Sequence, residues 1–387
     1  MEIPFIDIAK INARFCFTQA FEKNLSRAQF ILGEECQAFE REFSAYCGAK
    51  YCVGVGSGYD ALFLILKAYK ELGKLRDFDE VIVPKNSYVA SAFAITQNNL
   101  TPIFAPPREK DFLLDCSALD SLLSPRTRAI MPVHLFGQLC DMRAILDFAK
   151  KHDLLVIEDS AQAHGAYFAN FNTESKPLKR AGSYANAGAF SFYPAKNLGA
   201  LGDGGAVVSD DEALIRTIRV IANSGSEKKY IHTLQGVNSR LDSIQAMFLR
   251  QKLKALDSDN SARREVAKAY LQGIKHKDIL LPALADYEPD STQSAQTSDI
   301  LHASSHVWHL FVLRSPRRDA LQEHLRAQGI ESLIHYPLPI HKQKAFAQYN
   351  ALNLPNQDLH SQILSIPISQ VQDEATTQKI IHAINNF

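Results

Sequence analysis

The sequence predicts an α/β fold: a large domain on a mostly parallel sheet, followed by a smaller C-terminal α/β domain. Two observations carry this prediction. Short apolar runs of strand length alternate with helical patterns through the first half of the chain. These runs are apolar throughout instead of alternating, as expected for strands covered by helices on both faces. The length of 387 residues suits two domains, and we divide them at 1–255 and 256–387.

The elements follow in order. EECQAFEREFSAY (34–46) has helical spacing and early acids. Tyr51 to Val55 is an apolar strand that runs into GSG and then YDALFLILKAYKEL, a strong helix pattern. EVIVP (80–84) is the next strand, YVASAFAITQNN the next helix, and TPIFA, RAIMPVH (128–134) and LLVIED (154–159) are further strands. MRAILDFAKKH is the helix before the last of these. AGAFSF and GGAVVS are two short strands on either side of Lys196, and helix patterns dominate from Asp211 to about Ile274. The polar stretch 283–305 reads as an irregular excursion inside the smaller domain. That domain has a strand in HVWHLFVLR, a helix near 317–328 and a closing helix in EATTQKIIHAINNF.

Composition excludes several classes. Lys+Arg 42 balances Asp+Glu 42, so the chain is not built around a nucleic-acid backbone. No apolar run is long enough to span a bilayer, and MEIPFIDIAK lacks the basic start and long apolar core of a signal peptide. The six cysteines form no CxxC pair, so reduced thiols and a cytoplasmic location are expected.

Three features point to chemistry. GVGSGYDAL (54–62) is a glycine turn opening a helix, which offers free N–H groups to an anion or is simply a tight turn. A dinucleotide fingerprint would need glycine at position 59, which is Tyr59, and an acid ending the next strand, which closes in Pro84. LLVIEDSAQAHGA (154–166) puts acids at the C-terminal end of a strand, where parallel sheets hold ligands. Asp159 is either aimed at a fixed cation or caps the following turn. GAFSFYPAKNLGALGDGGAVV (188–208) holds one basic residue, Lys196, in apolar and small company. Such an amine loses hydration and becomes a nucleophile, or it is structural. Phosphate cradle, strand-end acid and isolated lysine, in that order, suit pyridoxal 5'-phosphate.

SGYDAL, EDSAQAHGA, SFYPAKNLGALGDGG and GVNSRLDSIQA together resemble the DegT/DnrJ/EryC1/StrS sugar aminotransferases, and the likeness runs from IPFIDI to HYPLPIH. The resemblance implies an aspartate aminotransferase-like fold (fold type I) and makes Lys196 the lysine that carries the cofactor. It makes Asp159 the partner of the pyridine nitrogen and puts Gln162 near the ring oxygen. Ser191, with the backbone of Gly58 and Tyr59, is implied to hold the phosphate, and Tyr88 to lie against the ring. It also implies that Asn238 reaches a phosphate in the neighbouring subunit of a homodimer with shared active sites. His335, Tyr336 and His341 correspond to the sugar-pocket loop. The implied reaction moves an amino group from L-glutamate to a nucleotide-linked keto sugar. Asn223, Gly225, Ser226, Lys229 and Tyr230 resemble members acting on a dTDP-linked 3-keto-6-deoxyhexose, with 4-keto sugars as the alternative. A dehydratase of this fold would carry histidine in place of Lys196. A regulatory protein without turnover would not need the set Asp159, Gln162, Ser191 and Lys196. His302, His306 and His309 lie close together, but HVWHLFVLR alternates like a strand, sending His306 and Trp308 to one face and His309 to the other. No metal is expected there.

Overall fold

The computed structural model describes residues 2–168, 178–283, 304–349 and 359–387. Two short helices, α1 (Ile8–Asn12) and α2 (Phe17–Arg27), precede α3 (Glu34–Cys47). The main body then runs β1 (Tyr51–Val55), α4 (Gly58–Glu71), β2 (Glu80–Pro84), α5 (Ala90–Thr96), β3 (Thr101–Ala105), β4 (Thr127–Ile130), α6 (Met142–His152), β5 (Leu155–Asp159), β6 (Ala187–Ser191), β7 (Gly205–Ser209) and α7 (Glu212–Ala222). The seven strands form one sheet in the order β1-β7-β6-β5-β4-β2-β3. The pairings from β3 to β6 are parallel, whereas β7 runs antiparallel to both β6 and β1. The expected mostly parallel sheet is therefore present, with its one reversed strand formed by GAVVS.

Each face is covered. Leu62, Ile65, Leu66 and Tyr69 of α4 join Ile95 of α5 and Ile218 of α7 against Val53, Val83 and Val207. On the other face Met142, Ile145 and Ala149 of α6 pack on Ile82, Ile130 and Val156. The apolar residues of α4 and α6 recur at helical spacing, which is why each helix buries one stripe.

After α7 comes a two-stranded hairpin, β8 (Ser226–Lys228) and β9 (Ile231–His232), then α8 (Ser243–Leu253) and α9 (Leu256–Gly273). Helices do dominate from Asp211 to about Ile274, with this hairpin set between α7 and α8. Ser224 takes a left-handed φ of 58° and ends the helical course. β10 (Phe311–Arg314) pairs antiparallel with β11 (Ile363–Ile366). α10 (Arg318–Ala327), α11 (Leu359–Gln362) and α12 (Glu374–Asn385) complete the chain. Val266 and Tyr270 of α9 share a core with Phe311, Leu321, Leu364 and Ile380. The strand expected over HVWHLFVLR begins only at Phe311, because Trp308 sits at φ 48° and breaks the extended course. His306 and Trp308 do lie together, their rings stacked 3.9 Å apart. The excursion expected at 283–305 lies outside the described residues except for its ends.

Candidate active site

β1 and β6 both run opposite to β7, so their C-terminal ends emerge at one edge of the sheet, beside that of β5. Gly205, the first residue of β7, pairs with both Val55 and Ser191 at that edge. A Cβ on Gly205 would lie 2.2 Å from the Ser57 carbonyl oxygen, so glycine is what lets the turn before α4 approach. A Cβ on Gly58 would stand 2.5 Å from the Ser191 Cβ. Residues 133 positions apart are thereby in contact.

This contact sits on a helix N-terminus. The Ser57 side chain caps α4 by accepting from the Asp60 N–H at 3.1 Å. The N–H groups of Gly58 and Tyr59 are left as the open donors of the first turn. Ser191 packs directly against Gly58, and the helix dipole favours an anion there. Tyr59 turns its ring onto Phe63, and its hydroxyl bonds Gln97.

The two acids of β5 part company, as alternate strand residues must. Glu158 is fully buried and accepts from the N–H groups of Gly182, Tyr184 and Ala185 at 2.7–2.8 Å. Its fourth partner is His134 Nε2 at 3.0 Å. The Cys140 N–H donates to His134 Nδ1, so the ring proton is on Nε2 and points at Glu158. Glu158 is thus consumed by the fold. Asp159 turns the other way, accepting from the Ser91 hydroxyl at 2.8 Å and the Ala161 N–H at 3.2 Å. Burial raises its pKa above the ordinary carboxylate value, while these two donors and Lys196 act to lower it.

Lys196 follows β6 in the loop to β7, its N–H bonded to the Tyr193 carbonyl. It is partly buried, and loss of hydration lowers its pKa to about 8, against the opposing pull of Asp159. The imidazoles of His164, His309 and His335 feel its charge, and burial with that charge keeps all three neutral. Gln162 is locked: its Oε1 accepts from the Phe136 N–H at 2.6 Å and its Nε2 donates to the Tyr336 hydroxyl at 3.1 Å. Tyr336 also meets Tyr88, ring centres 5.5 Å apart, and Tyr88 is largely exposed. His335 bonds the Ser365 hydroxyl at 2.9 Å.

The structure therefore gathers Gly58, Ser191, Asp159, Lys196, Gln162, Tyr88, His335 and Tyr336 around one edge. His341 is buried against Phe104, beside Lys85. Asn238 is exposed and bridges by its backbone to Asn223, while the next residue, Ser239, accepts from the Gly56 N–H at 3.0 Å. Sequence reasoning missed Ser91, because nothing local in PKNSYVAS marks its bond to Asp159, 68 positions on. It also missed Asn197, whose partners are distant in sequence.

A model of the DegT/DnrJ/EryC1/StrS aminotransferase family matches residues 14–385. The chain belongs to this family. It is a pyridoxal 5'-phosphate-dependent aminotransferase. It is 45% identical to the dTDP-3-amino-3,6-dideoxy-alpha-D-galactopyranose transaminase of Aneurinibacillus thermoaerophilus, over 100% of this chain and 99% of that one. The dTDP-3-amino-3,4,6-trideoxy-alpha-D-glucose transaminase of Streptomyces venezuelae is 40% identical, over 100% and 96%. The solved structure of S. venezuelae DesV with a ketimine intermediate superposes with a TM-score of 0.86 at 39% identity, covering 100% of this chain and 98% of that one. The aspartate aminotransferase-like fold type I thus holds for this chain. The residues present fit the cofactor: a helix N-terminus at Gly58 packed directly against Ser191, a buried acid and an amine of lowered pKa.

Proposed function

We propose that the chain transfers an amino group from L-glutamate to C3 of a dTDP-linked 3-keto-6-deoxyhexose, giving a dTDP-3-amino-3,6-dideoxyhexose. The observation that carries the chemistry is that burial lowers the pKa of Lys196 to about 8 while the charge of buried Asp159 acts on it. Whole-length identity of 45% to a dTDP-3-amino-3,6-dideoxyhexose transaminase supports the substrate class. When bound, pyridoxal 5'-phosphate supplies an electron sink. Lys196 Nζ would hold the cofactor covalently and, once the donor's amino group had displaced it, the freed amine would move the proton taken from the donor's α-carbon. Asp159 would hold the pyridine nitrogen protonated. Ser191 and the N–H groups of Gly58 and Tyr59 bind the phosphate. Gln162, fixed by Phe136 and Tyr336, would bond the cofactor's ring oxygen, and Tyr88 would stack on its ring. His335, Tyr336 and His341 belong to the sugar pocket.

The working form is a cytoplasmic homodimer, with 1–255 as the cofactor domain and 256–387 as the smaller one. Asn238 serves the partner's phosphate site. Two exposed apolar side chains on the neighbouring hairpin, Tyr230 at 83% and Ile231 at 53%, support a covering partner there. The test offers dTDP-linked 3-keto and 4-keto 6-deoxyhexoses separately, with L-glutamate in excess. A higher kcat/KM for the 3-keto sugar is expected, and preference for the 4-keto sugar would overturn the C3 assignment.

A further inference from the structure

Asn197, directly after Lys196, is buried, and its side-chain amide is tied on both sides. Its Nδ2 donates to the Val307 carbonyl and to Asn260 Oδ1, both at 2.9 Å. A backbone carbonyl only accepts, so Val307 fixes which end of the amide carries nitrogen. Asn197 Oδ1 is therefore an acceptor, and its partner at 3.1 Å, His309 Nδ1, must carry the ring proton. Asn260 extends the chain by donating to the His164 carbonyl at 2.8 Å. The residue beside Lys196 is thereby joined to helix α9, to the segment leading into β10, and to the turn that follows Asp159.

We infer that the Asn197–His309 hydrogen bond is a positioning device that holds the Lys196 loop in register with Asp159 and ties it to the C-terminal part of the chain. His309 acts through Asn197 and the backbone, not on the reacting atoms. The neutral tautomer suits this place. The titratable groups facing Lys196 are Asp159, His164, His309 and His335, with Arg263 also near His309. A charged imidazole at position 309 would add a cation where the acid is Asp159. Networks of this kind fix geometry when every member is satisfied, and a small misplacement of a reacting group is costly.

The inference rests on the reading of Lys196 as the cofactor-bearing lysine. The test uses the full chain stripped of cofactor, mixed with saturating pyridoxal 5'-phosphate, and reads covalent capture by visible absorbance. Non-covalent affinity is measured separately in a Lys196→Ala background. His309→Leu is expected to slow capture by about 10- to 100-fold. It should leave non-covalent affinity unchanged, because the phosphate cradle lies elsewhere. His309→Asn, whose amide nitrogen mimics Nδ1–H, should restore most of the rate. Asn197→Ser, too short to span the gap, should repeat the loss and stands in if His309→Leu does not fold. Capture at the parent rate in His309→Leu or Asn197→Ser would overturn the inference, as would failure of His309→Asn to restore it in a protein that melts normally. If the unmodified chain forms no link at Lys196, the underlying reading of the lysine fails instead.

Discussion

Ser191 closes over Gly58 so tightly that a methyl group at position 58 would meet the serine's Cβ at 2.5 Å and its Cα at 3.0 Å. The obstruction includes backbone, so no side-chain rotation relieves it. The first residue of α4 and the last residue of β6 thus shape one anion cradle. This contact makes the cradle sensitive to a single methyl.

Gly58→Ala is expected to weaken retention of pyridoxal 5'-phosphate. Overpacking of this kind costs about 1–3 kcal/mol, or about 5- to 150-fold in affinity. Equilibrium dialysis of the variant against cofactor reads the loss directly. Affinity equal to the parent's would mean that the phosphate sits elsewhere.

Asp159→Asn removes the only acid of β5 that faces Lys196. The cofactor should still bind through its phosphate, while amino transfer slows by about 10²–10³-fold. Glu158 cannot substitute, because its oxygens are taken by Gly182, Tyr184, Ala185 and His134. Stopped-flow measurement of the first half reaction with L-glutamate checks this. Near-parental turnover would remove Asp159 from its role.

The lowered pKa of Lys196 predicts a pH profile. The neutral amine is the reactive form, so capture of cofactor by the stripped protein should rise with pH and level off above about 8. At pH 7 a lysine of pKa about 8 holds roughly 300-fold more neutral amine than one of ordinary pKa, about 10.5. A capture rate still climbing tenfold per pH unit between 9 and 10 would show an ordinary lysine.

The proposed shared site has its own test. Lys196→Ala and Asn238→Asp subunits, each inactive alone, should regain activity on mixing. One site of the mixed dimer then carries both changes and the other carries neither. No recovery after verified subunit exchange would separate Asn238 from the partner's site.

The sheet was legible in the sequence because its strands are short, apolar and bounded by turn residues; EVIVP and TPIFA keep their limits in the structure. The order of cradle, acid and lysine was legible because each sits at or just beyond the end of such a strand. What escaped depends on contacts between distant segments. No local pattern announces that Ser91 bonds Asp159, or that Asn197 meets His309 across 112 positions. The break at Trp308 was hidden because the alternation of HVWHLFVLR continues through it. The hairpin at 226–232 was hidden because the helical patterns around it are strong.

The central claim is that Lys196 carries the cofactor, and borohydride reduction followed by peptide mapping tests it most directly. Two other lysines offer a real contest: burial lowers the pKa of Lys252 to about 8 and also lowers that of Lys85. Lys252, however, donates to the Gly199 carbonyl at 2.7 Å and so braces the loop from behind. Reducing the loaded enzyme should fix the pyridoxyl mass on the peptide containing Lys196 and abolish activity. The same mass on a peptide containing Lys85 or Lys252, with the Lys196 peptide unmodified, would contradict the account.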